Sequence, residues 1–161
     1  MDVSESEKGL AELLKRGGIY RDIKGSTPRE VLTDLAGALP AIPSVQADVL
    51  LGAVLEREAL MSTSAGHGIA LPHPRNPLLK STEDQFVALA FLKNPVDWNS
   101  LDGKPVDTLL LIVSASSKEH LHTLSKINYL CRNENFRRLL GERAGEEELL
   151  GFIRETEKEW R

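Results

Sequence analysis

The chain has 161 residues, of which 41% are hydrophobic and 27% charged, with a formal net charge of -4. These proportions fit one soluble globular domain with a core of its own, and the mildly acidic balance argues against nucleic acid as a partner. The single cysteine, Cys131, excludes an intramolecular disulfide and suits a reducing compartment, and no apolar run approaches the roughly 18 residues that cross a bilayer.

Residues 1–8 are polar and acidic, lack the basic start and apolar core of a signal peptide, and offer nothing to bury. They are expected to form a flexible tail on a cytoplasmic protein, with residues 9–161 as a single domain. Leu10, Leu13 and Leu14 predict a short amphipathic helix stopped by Gly17-Gly18, and residues 19–23 a short edge strand. Thr27-Pro28-Arg29-Glu30 is a helix start, with Thr27 as cap, Pro28 in the first turn and Glu30 completing a capping box. Val31, Leu32, Leu35, Ala38 and Leu39 follow at helical spacing until Pro40 and Pro43. Ser44 is expected to cap a second helix carrying Val45, Val49, Leu50, Ala53 and Val54 on one side and ending near Leu60, with Arg57 close to its carboxyl end. Residues 61–65 then read as a loop.

The stretch that organises the chain comes next: Gly66-His67-Gly68-Ile69-Ala70-Leu71-Pro72-His73-Pro74-Arg75. The glycines permit backbone conformations closed to other residues, residues 69–71 have the apolar character of a buried strand end, and two prolines restrict the backbone around His73. An imidazole pinned in this way loses little freedom when a ligand arrives. Residues 76–85 read as a surface connection. Residues 86–92 form an apolar run of strand length that Asn94-Pro95 is expected to end, loops turn at Asp102-Gly103, and residues 108–113 form a second apolar run. Two runs apolar throughout predict central strands covered on both faces. From Lys118 the pattern is helical, with breaks near Asn133 and at residues 141–145. The expected fold is α/β, a three-layer α/β/α sandwich whose central mixed sheet is flanked by helices.

The second histidine segment is Glu119-His120-Leu121-His122-Thr123-Leu124-Ser125. At 3.6 residues per turn His120 shares a face with Leu124, Ile127 and Cys131, whereas His122 shares one with Lys126, Tyr129 and Asn133, facing water. His120 thus points inward at a first helical turn just beyond a strand end, where ligand sites in α/β sheets are found. His73 also follows a strand-like run, which allows the two imidazoles to converge.

These segments resemble the enzyme IIA domains of the bacterial phosphoenolpyruvate-dependent phosphotransferase system, fructose/mannitol class, and within it the nitrogen-regulatory type. Gly68-Ile69-Ala70-Leu71-Pro72-His73 resembles the family's phosphorylation motif, the segment around His120 its second histidine site, Glu56-Arg57-Glu58 its arginine site and residues 102–107 its turn before a strand. The similarity extends from about Leu10 to about Glu155. The resemblance implies a phosphotransferase component with a phosphohistidine intermediate, phospho-HPr or its nitrogen-type counterpart as donor, and a IIB domain or a regulatory target as acceptor. Where the family has glycine after the histidine this chain has Pro74, which removes a backbone donor.

The chemistry fits the residues. A neutral imidazole, with an ordinary pKa of about 6.5, carries a lone pair that attacks phosphorus and holds the group as labile phosphohistidine. On this reading His73 is the nucleophile and His120 donates an N–H to a phosphoryl oxygen. Arg57 and Arg75 offset charge on the moving group, and the hydroxyls of Ser62 and Thr63 add hydrogen bonds. The scheme calls for no cofactor and no metal, and the chain has no G-x-x-x-x-G-K-[ST] phosphate loop. Two other functions compete: an interaction module on the same fold that has lost transfer, with Pro74 as its symptom, and a metal hydrolase built on His67, His73 and His120. The second lacks both an evident carboxylate partner and an H-E-x-x-H helix.

Overall fold

The computed structural model describes residues 9–43 and 45–160. The expectations placed on the tail, residues 1–8, and on Ser44 as a cap lie outside the described residues. The first helix, α1 (Leu10–Gly17), leads into strand β1 (Ile19–Ile23), then come α2 (Pro28–Ala38) and α3 (Ala47–Leu60). Strands β2 (Ser64–Gly66) and β3 (Ile69–Ala70) form a small hairpin, followed after a single 3-10 turn by the long strands β4 (Phe86–Val96) and β5 (Val106–Val113). Helices α4 (Ser117–Cys131), α5 (Glu134–Gly141) and α6 (Glu146–Glu159) complete the described chain.

The five strands make one mixed sheet in the order β1-β4-β5-β3-β2, with β1 parallel to β4, β4 antiparallel to β5, and β3 parallel to β5. Because successive side chains on a strand point to opposite faces, the apolar runs of β4 and β5 feed two cores at once. Val87, Leu89, Phe91, Leu110 and Ile112 face α1, α4, α5 and α6, whereas Phe86, Ala88, Ala90, Leu92, Leu109, Leu111 and Val113 face α2 and α3. The three-layer α/β/α sandwich is thus set by strands apolar on both sides.

Local chemistry explains most boundaries. Thr27 accepts the Glu30 N–H at 3.2 Å, and Glu30 reaches back one residue further than the capping-box pattern implies, to the N–H of Ser26 at 2.8 Å. Helix α1 has no side-chain cap of its own; Glu157 of α6 accepts the Leu10 N–H at 2.6 Å and pairs with Lys126 of α4 at 3.2 Å, which ties three helices together. Asn133 caps α5 through the Phe136 N–H.

Three expectations need correction. The buried face of α3 is Leu50 and Val54, with Leu51 and Leu55 packed alongside; Val49 is exposed, and Val45 lies ahead of the helix in an isolated bridge to Ile42. Residues 61–65 are not all loop, since β2 begins at Ser64; three small residues give no alternation for a pattern to reveal. Strand β4 does not stop at Asn94-Pro95. The register shifts between Phe91 and Val96, Pro95 sits exposed within that irregularity where no ladder N–H is required, and pairing resumes with buried Val96 opposite Val106.

Candidate functional site

Strand β3 places His73. The β2–β3 connection turns through His67 and Gly68, both at positive φ (57° and 81°), as a two-residue hairpin demands. The chain then runs through Ile69 and Ala70 alongside β5 and leaves the sheet at Leu71-Pro72. The Ile112 N–H holds the Pro72 carbonyl at 3.0 Å, so the segment is anchored to the central strand up to the residue before His73. Strand β5 places His120: it ends at Val113, Ser116 caps α4 by accepting the Glu119 N–H, and His120 lies in the first turn. Because β3 and β5 are parallel and adjacent, both histidines emerge at the same end of the sheet.

They meet there. The ring centroids are 4.6 Å apart with the planes tilted by 41°. Both rings border a recess of about 240 Å³ whose walls also include Pro74, Arg75, Ser114 and Ser117. Both histidines are half-buried. The Nδ1 of His73 lies 2.9 Å from the Leu71 carbonyl. A carbonyl only accepts, so Nδ1 carries the proton in the neutral ring and Nε2 is left with the lone pair.

The electrostatics keep both rings neutral. Burial lowers the pKa of His73; the Leu71 bond opposes this, Arg57 lowers it further and Glu58 raises it. For His120, burial, the neighbouring His73 and Arg57 together bring the pKa down to about 4. Arg57 therefore acts on both imidazoles from the end of α3, where its Nη1 donates to the Met61 carbonyl at 2.6 Å. Charge on a ligand entering the recess would feel the field of Arg57 and meet the N-terminal end of α4, where Ser117 borders the recess and the first N–H groups lack partners within the helix.

The other sequence-predicted residues fare unequally. Arg75 borders the recess, but its guanidinium is exposed and sits 3.4 Å from Glu56. The hydroxyls of Ser62 and Thr63 are engaged elsewhere: Ser62 donates to the Trp98 carbonyl, and Thr63, buried, donates to Glu58 at 2.7 Å. Read as loop residues, they gave no hint of these partners. His67 is not a third imidazole of the site. It lies in the β2–β3 turn, its backbone N–H bonded to Asp102 of the β4–β5 connection at 2.9 Å, whereas His73 follows the far end of β3. His122 is exposed, as its helical face requires. Ser114 and Ser117 were missed, having read only as part of a connection; a serine-rich link between a strand end and a helix start is the signal that was available.

The chain resembles known proteins in sequence and in fold. A nitrogen regulatory protein of Pseudomonas aeruginosa is 35% identical over 121 residues, covering 73% of this chain and 77% of that protein. One from Escherichia coli is 34% identical over 133 residues, covering 80% and 77%. Among solved structures, the nitrogen regulatory protein IIA-Ntr of Neisseria meningitidis aligns with a TM-score of 0.76 at 27% identity, over 89% of this chain and 97% of that one. The family model described as phosphoenolpyruvate-dependent sugar phosphotransferase system, EIIA 2, matches residues 12–156, and the chain belongs to that family.

Proposed function

We propose that this protein is a phosphohistidine carrier: Nε2 of His73 accepts a phosphoryl group from an HPr-type phosphoprotein and yields it to a IIB domain or signals through its phosphorylation state to a regulatory target. The observation that carries the reading is the bond from His73 Nδ1–H to the Leu71 carbonyl, which leaves a bare lone pair beside His120 at the mouth of an open recess. The regulatory branch is supported by relatives named nitrogen regulatory protein. The same reading takes residues 9–161 as one domain and places it in the cytoplasm; among the described residues no helix is long and apolar enough to cross a membrane.

The step balances simply. The Nε2 lone pair of His73 forms a bond to phosphorus as the bond from phosphorus to the donor's ring nitrogen breaks, and that electron pair returns to the donor ring. His73 keeps its proton on Nδ1, donated to the Leu71 carbonyl, so the ring gains positive character without losing its anchor. His120 donates an N–H to an equatorial oxygen, and Arg57 leaves the Met61 carbonyl to meet the incoming charge. The protein supplies position and compensating charge more than covalent chemistry.

Incubation with a phosphorylated HPr-type donor followed by intact-mass and peptide analysis tests this. One phosphoryl group is expected on His73, acid-labile and missing from the His73→Ala variant. An unmodified chain, under conditions that phosphorylate a control carrier, would favour the interaction module.

A further inference from the structure

We infer that Glu58 is the positioning residue for the nucleophile: its carboxylate anchors a hydrogen-bonded chain that passes through Thr63 and Leu71 to the Nδ1–H of His73. The inference rests on the reading of His73 as phosphoryl acceptor and adds a residue that the catalytic pair does not explain.

The chain is continuous. Glu58 accepts the Thr63 backbone N–H at 2.8 Å and the Thr63 hydroxyl at 2.7 Å, one on each carboxylate oxygen. The Thr63 carbonyl accepts the Leu71 N–H at 2.9 Å, and the Leu71 carbonyl accepts the His73 Nδ1–H at 2.9 Å. Pro72, between the last two partners, has its φ fixed by its ring and its carbonyl held by Ile112. The links from α3 to the imidazole are thus hydrogen bonds of 2.7–2.9 Å, with the backbone before His73 restricted at Pro72.

The location of Glu58 argues for a specific role. It lies in the last turn of α3, where the helix dipole disfavours a carboxylate, and it is retained there with both oxygens satisfied by one residue. A neutral amide would also close the loop, its oxygen accepting the Thr63 N–H and its NH2 donating to the hydroxyl, so closing the loop does not by itself call for a charge. A charge does matter to the imidazole, since Glu58 acts on His73 in the sense opposite to burial and Arg57. As Nε2 bonds to phosphorus the His73 ring becomes positive, and a fixed carboxylate nearby favours that state over the neutral ground state. Glu58 thus has two effects: it holds the Leu71 carbonyl where the ring needs it, and it stabilises charge developed only during transfer.

The two effects separate experimentally. Glu58→Gln removes the charge and keeps one oxygen to accept the Thr63 N–H, with its amide NH2 donating to the Thr63 hydroxyl. The phosphorylated donor is used as phosphoryl source, and the His73 ring tautomer is read independently by nitrogen NMR on unphosphorylated protein. Glu58→Gln is expected to lower kcat about tenfold with KM for the donor within about twofold. It should also lower the His73 pKa and admit the Nε2–H tautomer. Wild-type kcat with an unchanged tautomer and titration in Glu58→Gln would overturn the inference, as would a change confined to KM. Should Glu58→Gln fold poorly, Thr63→Val, which removes only the hydroxyl donor, is expected to shift the tautomer in the same direction, and no shift there overturns the inference. The tautomer readout needs no transfer, so failure of His73 to accept phosphate and failure of the Glu58 chain are distinct results.

Discussion

His73 and His120 face each other with ring centroids 4.6 Å apart, and the closeness has a direct acid–base consequence. A positive charge on either ring disfavours a proton on the other, and burial and Arg57 add to this until His120 titrates at about 4. At neutral pH both rings are uncharged, one offering a lone pair and the other an N–H. Phosphorylation reverses the local field, since a phosphoryl group brings nearly two negative charges. The pKa of His120 is therefore expected to rise on phosphorylation of His73, visible as a shifted ring-proton titration by NMR. A His120 titration identical in the two forms would mean that the phosphoryl group does not sit between the rings.

The same depressed values bear on stability. Both histidines bind protons less readily in the folded protein than the ordinary imidazole of the unfolded chain, pKa about 6.5. Below that pH the unfolded state takes up more protons, so stability falls as the pH drops from about 6.5 towards about 4. The His120→Gln variant lacks this acid-sensitive group. Its melting temperature should decline less than that of the wild type between pH 7 and pH 4.5, and parallel declines would show that His120 titrates normally.

Arg57 is held in reserve by its bond to Met61, which lies at the end of the same helix. Its charge is felt by both rings, yet its guanidinium rests on a carbonyl that a phosphoryl oxygen can replace as acceptor. Arg57→Lys keeps the charge but loses the planar donor fork. We expect transfer to slow by about tenfold in Arg57→Lys and about a hundredfold in Arg57→Ala, with the pKa of His120 raised in the alanine variant alone. Stopped-flow measurement of transfer from the phosphorylated donor checks the order; equal rates in the two variants would assign the effect to the fork rather than to the charge.

Helix α1 meets the sheet through Gly17. A Cβ there would stand 2.0 Å from the Val87 carbonyl oxygen and 2.5 Å from its carbon, both backbone atoms of the central strand β4. The neighbouring contacts leave no easy retreat: the Tyr20 hydroxyl donates to the Gly17 carbonyl and the Leu89 N–H to the Gly18 carbonyl. Gly17→Ala is expected to destabilise the fold by about 2–3 kcal/mol, lowering the melting temperature by about 5–10 °C. Transfer below that temperature should be unaffected, since no residue of α1 borders the recess. A neutral Gly17→Ala would mean that α1 can ride away from β4 without loss.

The parts of this architecture that are written in period and punctuation were legible in the sequence. Runs apolar throughout gave β4 and β5, and the spacing of His120 to Leu124, Ile127 and Cys131 gave its inward face. The prolines around His73 gave a pinned imidazole. Partners chosen across the fold were not legible. The Ser62 and Thr63 hydroxyls looked free because Trp98 lies 36 residues away from Ser62, and because Glu58 reads as part of a charged helix end until the loop folds back on it. His67 looked close to the site because it is six positions from His73, yet an extended chain of that length carries it to the other end of the sheet. Periodicity reports which face a residue takes; it does not report which hydroxyl a distant carbonyl will claim.

Pro74 is the last point on which the site can be tested. It is buried, borders the recess and has no N–H, so on the proposed function a phosphoryl group on His73 would lack one backbone donor beside its attachment point. Pro74→Gly restores that donor and frees the backbone. The donor is expected to stabilise the phosphorylated form, moving the transfer equilibrium towards this protein by about three- to tenfold. The freed backbone is expected to destabilise the unphosphorylated fold by about 1 kcal/mol through the larger entropy of the unfolded chain. The two effects are read separately, by phosphate partition against the donor and by denaturant unfolding. If Pro74→Gly loses stability without any change in partition, the oxygens of the bound group point away from position 74, and Arg57, His120 and the start of α4 must account for its charge.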